Sequence, residues 1–140
     1  MISYATIGTN NLPRALAFYD ALLATLGARR LLEPPDHAGF TMYGVDRQSP
    51  SLVITGPYDG QPATVGNGSM IAMAMPSRGA VDRFHAQALA LGAADDGAPG
   101  LRSDEGERAF YGAYFRDLDG HKFCVMRIGP ADRSGEGQNR

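Results

Sequence analysis

The sequence predicts an α+β fold built from two tandem βαβββ modules, and three observations carry that prediction. First, Phe18 to Ala28 (FYDALLATLGA) resembles Phe84 to Ala93 (FHAQALALGA) when Phe18 is set on Phe84, an offset of 84 − 18 = 66 residues, the first segment being one residue longer. Second, each of these amphipathic segments follows a short apolar strand and leaves through Gly-Ala into further strand-like sequence. Third, 18 glycines and nine prolines in 140 residues demand many turns, as a sheet-rich chain does.

The first strand covers residues 2–8. Asn11 is placed to cap the helix that follows, and Pro13 falls in its first turn, where a missing N–H leaves no gap. Leu16, Tyr19, Leu22, Leu23 and Leu26 recur at helical spacing, and Gly27 offers a left-handed exit. Arg29–Glu33, Gly39–Gly44 and Ser51–Gly56 complete a first module of about residues 1–57. A Gly- and Pro-rich linker, about 58–68, leads to a strand at 69–75. A second helix follows, capped by Ser77, striped by Val81, Phe84, Ala88 and Leu91, and closed by Gly92. The helices are expected to centre near Ala21 and Ala86. After Gly92 the strand pattern is weak. Arg108–Arg116 and His121–Ile128 are clearer, joined by the tight turn Asp117-Leu118-Asp119-Gly120. The second module thus spans about 69–128, and the tail, 129–140, lacks apolar periodicity and reads as disordered.

Composition narrows the function classes. Apolar residues at 44% suffice for a core, and charged residues at 20% are too few for a disordered chain. A formal charge of −2 with no basic cluster argues against a nucleic-acid partner. The one cysteine, Cys124, cannot close an intramolecular disulfide. No basic-then-apolar leader occurs, nor any run near the roughly 20 apolar residues of a membrane helix, so the expected location is the cytoplasm, away from membranes. Neither Gly-rich stretch opens a helix in the manner of a phosphate loop, and no cofactor is expected.

Several pieces together resemble the vicinal oxygen chelate superfamily of glyoxalases, bleomycin-resistance proteins and extradiol dioxygenases. They are Asn11-Leu12-Pro13-Arg14-Ala15 with Ala17-Phe18-Tyr19, Ser77-Arg78-Gly79-Ala80-Val81, Gly97-Ala98-Pro99-Gly100-Leu101-Arg102, and Tyr114-Phe115-Arg116-Asp117-Leu118-Asp119-Gly120. The resemblance covers residues 2–128. It implies a curved, mostly antiparallel eight-stranded sheet around a cavity, with a divalent metal held by His and Glu from the first and fourth strands of each module. Carried over position by position, those ligand sites fall on Tyr4, on Met70 (Tyr4 shifted by 66), on Cys124, and within Leu52–Thr55 at Ile54 or Thr55. None is His, Asp or Glu, so no metal is expected there. His37 in a loop, His85 on the second helix and His121 in the hairpin turn do not replace them.

Individual residues allow a functional and a plainer reading. Cys124 in an apolar strand reads as a small core residue, since no base or cation adjoins it in sequence. Tyr4 alternates with Thr6, and Met70 with Ala72, so choosing one face for the first of each pair fixes the second. That face follows from the resemblance, and a slip of one residue would reverse it. Arg102, Arg108 and Arg116 either pair a ligand anion or lie on the surface, partnered by Asp104, Glu105 or Glu107. Tyr111 and Tyr114 fall on opposite faces of a regular strand, so one at most lines the cavity. His85 reads as a surface or dimer-interface residue. Gly97–Arg102 and Pro57–Gly68 read as loops able to cap a pocket.

The reading that follows is a metal-free binder of a small, partly apolar or aromatic molecule, contacted by Tyr4, Thr6, Ile54, Met70, Ala72, Tyr114 and Cys124, with Arg102 at the rim. A lyase or dioxygenase with unorthodox metal ligands is the first alternative. A dimeric partner-binding module with a vestigial cavity is the second. A homodimer is expected in any case, because an isolated small sheet leaves edges to cover.

Overall fold

Both helices start and stop on local chemistry. In the computed structural model, which describes residues 1–37 and 39–134, α1 runs Leu12–Ala24 and α2 runs Arg78–Ala90. Asn11 Oδ1 accepts from the Arg14 amide at 3.2 Å and Ser77 Oγ from the Ala80 amide at 3.0 Å. Each cap therefore satisfies a donor that has no partner inside its helix. At the far ends Gly27 (φ 75°) and Gly92 (φ 106°) adopt the left-handed turn, letting the Ala28 and Ala93 amides reach back to Leu23 and Ala88 carbonyls. Both helices stop sooner than the apolar stripe suggests. Leu26 lies past the end of α1 and is partly exposed, and the helices centre on Phe18 and Phe84 rather than Ala21 and Ala86.

Eight strands accompany them: β1 (Tyr4–Gly8), β2 (Arg29–Leu32), β3 (Thr41–Gly44), β4 (Ser51–Thr55), β5 (Ile71–Ala74), β6 (Ala94–Leu101), β7 (Phe110–Arg116) and β8 (Lys122–Ile128). They form two four-stranded sheets of the same connectivity, β1-β4-β3-β2 and β5-β8-β7-β6. In each, the first strand pairs with the last in parallel and the other pairings are antiparallel. The chain divides into two units, Met1–Val65 and Gly66–Arg140, each an α+β module with one helix on one sheet.

Strand register fixes which face of each sheet meets its helix. In unit one, Ile7, Thr41, Tyr43 and Ile54 share the helix face, where Tyr43 approaches Tyr19 with ring centroids 6.3 Å apart. The Tyr43 hydroxyl donates to Asp20 at 2.7 Å, and Asp20 in turn holds Arg30. In unit two, Met73, Ala113, Phe115, Phe123 and Val125 face α2. There Phe115 stacks on Phe123 at 5.3 Å and meets Phe84 at 6.3 Å. Burying such a ring contributes roughly 1.5–3 kcal/mol.

Two expectations need correction. The weak stretch after Gly92 is β6, eight residues long, and it absorbs Gly97–Leu101, which were expected to form a loop. Its sequence, ADDGAPGL, has no alternation; pairing with β7 holds it, through two register shifts at Asp95/Gly97 and Gly97/Gly100. The tail does not begin disordered at Gly129. The Gly129 amide bonds Ala109 O, and both carboxylate oxygens of Asp132 accept from the first amides of α2, Arg78 and Gly79, at 2.8 Å. Residues 135–140 lie outside those described. Part of the linker builds a wall on unit one.

Candidate functional site

Unit one carries a concavity on the sheet face opposite α1. After β4 the chain turns back at Pro57 and runs beside the end of β1. Asn10 holds it there, its side-chain amide donating to Ala63 O at 3.0 Å and accepting from the Ala63 amide at 2.7 Å. Gly8 permits the approach, since a Cβ at that position would stand 3.0 Å from the Ala63 Cβ. The result is an open cavity of about 800 Å³, bordered among others by Thr6, His37, Phe40, Thr55, Tyr58 and Asp59. Thr6 borders this concavity. Tyr4 shares its face and is half exposed. His37, Phe40, Tyr58 and Asp59 were missed as site residues. The available signal was topological: a Gly- and Pro-rich segment leaving β4 starts beside β1, its parallel partner.

In unit two, the face away from α2 gathers most of the expected residues. Ala72 pairs with Cys124, and Cys124 with Tyr114, so the three lie in a row on one face. Met70, just before β5, is about half exposed. The Arg102 guanidinium stands 5.5 Å and the Lys122 ammonium 5.3 Å from the centre of the Tyr114 ring. Tyr111 is on the opposite face, donating to Asp82 of α2 at 2.7 Å, as alternation predicts. Missing Cβ atoms shape this surface. A Cβ at Gly97 would meet Tyr114 Cδ2 at 2.9 Å, and one at Gly112 would meet Phe110 Cε1 at 2.8 Å. The Tyr114 ring therefore lies low across the neighbouring strand β6, and the Phe110 ring folds back along its own strand β7.

Ile54 is the site residue that falls elsewhere. It pairs with Ile7, packs toward α1 and is 1% exposed. Thr55, one residue on, is the open-face position, so alternation decides a choice that sequence left open. The superfamily's metal positions then read Tyr4, Thr55, Met70 and Cys124. A phenol, a hydroxyl, a thioether and a thiol do not fit a hard or borderline divalent ion. Burial pushes the Cys124 thiol up, against the thiolate that a metal would need, although Tyr114, Arg102 and Lys122 nearby pull the other way. Among the described residues no group of three or more His, Cys, Asp or Glu converges on one point.

His85 is not a surface residue. It is 4% exposed, and its Nε2 lies 3.1 Å from Asp95 Oδ1 and 3.2 Å from the Tyr114 carbonyl. Two acceptors around one ring nitrogen require that nitrogen to carry the proton. Asp95 also accepts from the Gly97 amide, and these contacts hold its carboxyl below the usual range, Gly97 foremost. The signal was present in the repeat, which sets His85 on the buried Tyr19. The arginines also differ from expectation. Glu105 pairs with Arg78, whose guanidinium lowers the Glu105 pKa to about 2, and Arg116 bonds Asp96. Arg102 rests on Tyr114 and donates to Ala98 O.

No helix among the described residues is long and apolar enough to cross a membrane. No protein-family model and no curated protein matches the sequence. Solved structures do match. A glyoxalase/bleomycin resistance protein from Albidiferax ferrireducens T118 is 36% identical with TM-score 0.77, over 91% of this chain and 98% of that one. Lactoylglutathione lyase from Agrobacterium tumefaciens shares the fold at 18% identity and TM-score 0.61, over 91% and 92% of the two chains. TioX from Micromonospora sp. ML1 shares it at 16% and 0.60, over 91% and 98%. With more than a third of its residues identical to the first of these along nearly the full length of both, the chain belongs to the glyoxalase/bleomycin resistance protein family.

Proposed function

We propose that this protein binds a small, partly apolar or aromatic molecule without a metal. The observation that carries the reading is the unit-one concavity. At about 800 Å³ it has the size of small-molecule sites, and its border joins aromatic side chains, Phe40 and Tyr58, to the hydroxyls of Thr6 and Thr55. Each unit offers its own candidate contacts on its open face: Tyr4 and Thr6 in unit one, and separately Met70, Ala72, Tyr114 and Cys124 in unit two, with Arg102 beside these last. The donor set at the superfamily's metal positions supports metal-free binding. Elemental analysis of protein purified without chelator should find less than about a tenth of an equivalent of Zn, Ni, Fe or Mn. Near-stoichiometric metal, lost on Tyr4→Ala or Cys124→Ala, would return the lyase or dioxygenase alternative.

The binding test is a thermal-shift screen of aromatic and lipophilic molecules, repeated on Thr6→Glu, which places a charge in the concavity, and on Met70→Glu. A hit that survives both changes unaltered binds elsewhere. We also propose a homodimer: β2 and β6 are edge strands of their sheets and expose Leu32 and Leu101. Sedimentation at tens of micromolar should show it, and monomer alone would refute it.

A further inference from the structure

We propose that the open face of the β5-β8-β7-β6 sheet recognises the carboxylate of a small aromatic acid, with Arg102 as its counter-ion and Lys122 alongside. This rests on the small-molecule reading above and adds the ligand's charge to it.

Among the described residues Arg102 has no acid partner, as Arg108 and Arg127 of the same unit have none, whereas other arginines of the chain are paired. Arg30 holds Asp20 and Glu33, Arg78 holds Glu105, and Arg116 holds Asp96. Among the described residues Arg102 has the Tyr114 ring and one carbonyl, Ala98 O at 2.6 Å. A guanidinium has five N–H donors, so most of its fork remains open. The position is nonetheless built. Cβ atoms at Gly97 and Gly100 would stand 3.4 and 3.1 Å from the guanidinium nitrogens, so the exposed group lies close over bare backbone. A held planar fork matches a carboxylate through two parallel hydrogen bonds.

Charge points the same way. Lys122 stands over the same ring, and its acid, Asp96 at 3.5 Å, is shared with Arg116. Asp95 is engaged by the Gly97 amide and His85. The face is left with excess positive charge, which one monoanion would balance. The neighbouring surface is flat and apolar: Ala72, Ala74, the Tyr114 ring and Phe110 all project on this side. Such a surface takes a ring better than it takes a hydrated phosphate.

The test is a ¹H–¹⁵N NMR titration at low ionic strength with naphthoate, its neutral isostere naphthamide, and inorganic phosphate. Wild type, Arg102→Gln and Gly97→Ala are compared, the amide spectrum itself reporting that each variant is folded. Naphthoate should shift the Ala72, Tyr114 and Cys124 amides and bind about tenfold more tightly than naphthamide, with added salt narrowing the gap. Arg102→Gln should abolish the preference, bringing naphthoate to the affinity that naphthamide has for the same variant, and Gly97→Ala, by displacing the guanidinium, should reduce it. Equal binding of acid and amide, or a preference that survives Arg102→Gln, would overturn the inference and leave the small-molecule reading standing. Phosphate binding as tightly as naphthoate would overturn the aromatic-acid class. No shift on this face with any probe would overturn both the inference and the reading for this face.

Discussion

Tyr19 and His85 stand 66 residues apart at equivalent positions of the repeat, and both are buried. In unit one the position is filled by a ring that packs on Phe18, centroids 4.9 Å apart, and on Tyr43. In unit two it is filled by an imidazole that donates to a side chain and to the backbone of β7. The strands beneath explain the difference. The β6–β7 pairing shifts register beside Asp95 and Gly97, where a regular ladder would satisfy its own carbonyls. A hydrogen-bonding group from the helix stabilises that irregular stretch, and it bonds the carbonyl of the residue that carries the aromatic platform. A duplicated module can thus keep its connectivity while one position moves from packing to supporting a site.

The largest effect should come from removing the packing version. Tyr19→Ala should cost about 3–5 kcal/mol by urea unfolding, as large buried aromatics do. A loss under 1 kcal/mol would mean that this position is not part of the core. His85→Leu keeps volume but removes the imidazole donor to the Tyr114 carbonyl and to Asp95, which retains the Gly97 amide. It should cost about 1–3 kcal/mol and shift amide resonances along 94–97 and 113–115 more than those of α1. If the two variants perturb the same residues, the contrast between the modules is wrong.

Two smaller tests compare how each unit secures its irregular segment. Asn10→Ala should cost about 1 kcal/mol and speed hydrogen exchange at Ala63, because one side chain satisfies both main-chain groups of that residue. The counterpart in unit two is electrostatic. Arg78 holds the Glu105 pKa at about 2, from an ordinary 4.5. A depressed carboxyl stabilises the fold fully above its free value, and that contribution drains away as pH falls from about 4.5 toward 2. Acid titration followed at the start of α2 should loosen that end in this window, and Glu105→Gln should reduce the dependence, the Asp132 carboxylate on the first two amides of α2 remaining. Little total stability should change, since Glu105 is exposed.

Much of the fold was legible because periodicity and end signals agreed. Asn11, Ser77, Gly27 and Gly92 mark both helices, and alternation separated Tyr111 from Tyr114 correctly. What escaped was held by tertiary contact. Strand β6 has neither alternation nor β-branched residues and exists through its partner. His85 looked polar at the edge of its helix, and only the carbonyl and carboxylate brought beside it by distant strands make its burial tolerable. On the open faces, alternation groups Thr6 with Tyr4 and Ala72 with Met70. It could not reach Phe40 or Tyr58, whose loops come to the sheet by paths that no period encodes.

The glycines beneath the Tyr114 platform have a consequence for how this protein can change over generations. At Gly97 and Gly112 the nearest side-chain atoms occupy the space of a Cβ, and every possible replacement brings one. These positions have no near-neutral neighbours: any first mutation moves Tyr114 or Phe110 before a second can compensate. The wall of the unit-one concavity is different, because residues such as Tyr58 and Asp59 can be exchanged singly without obstructing a strand. Variation among descendants of this sequence should therefore accumulate around the first site, while the second either persists intact or is lost as a whole.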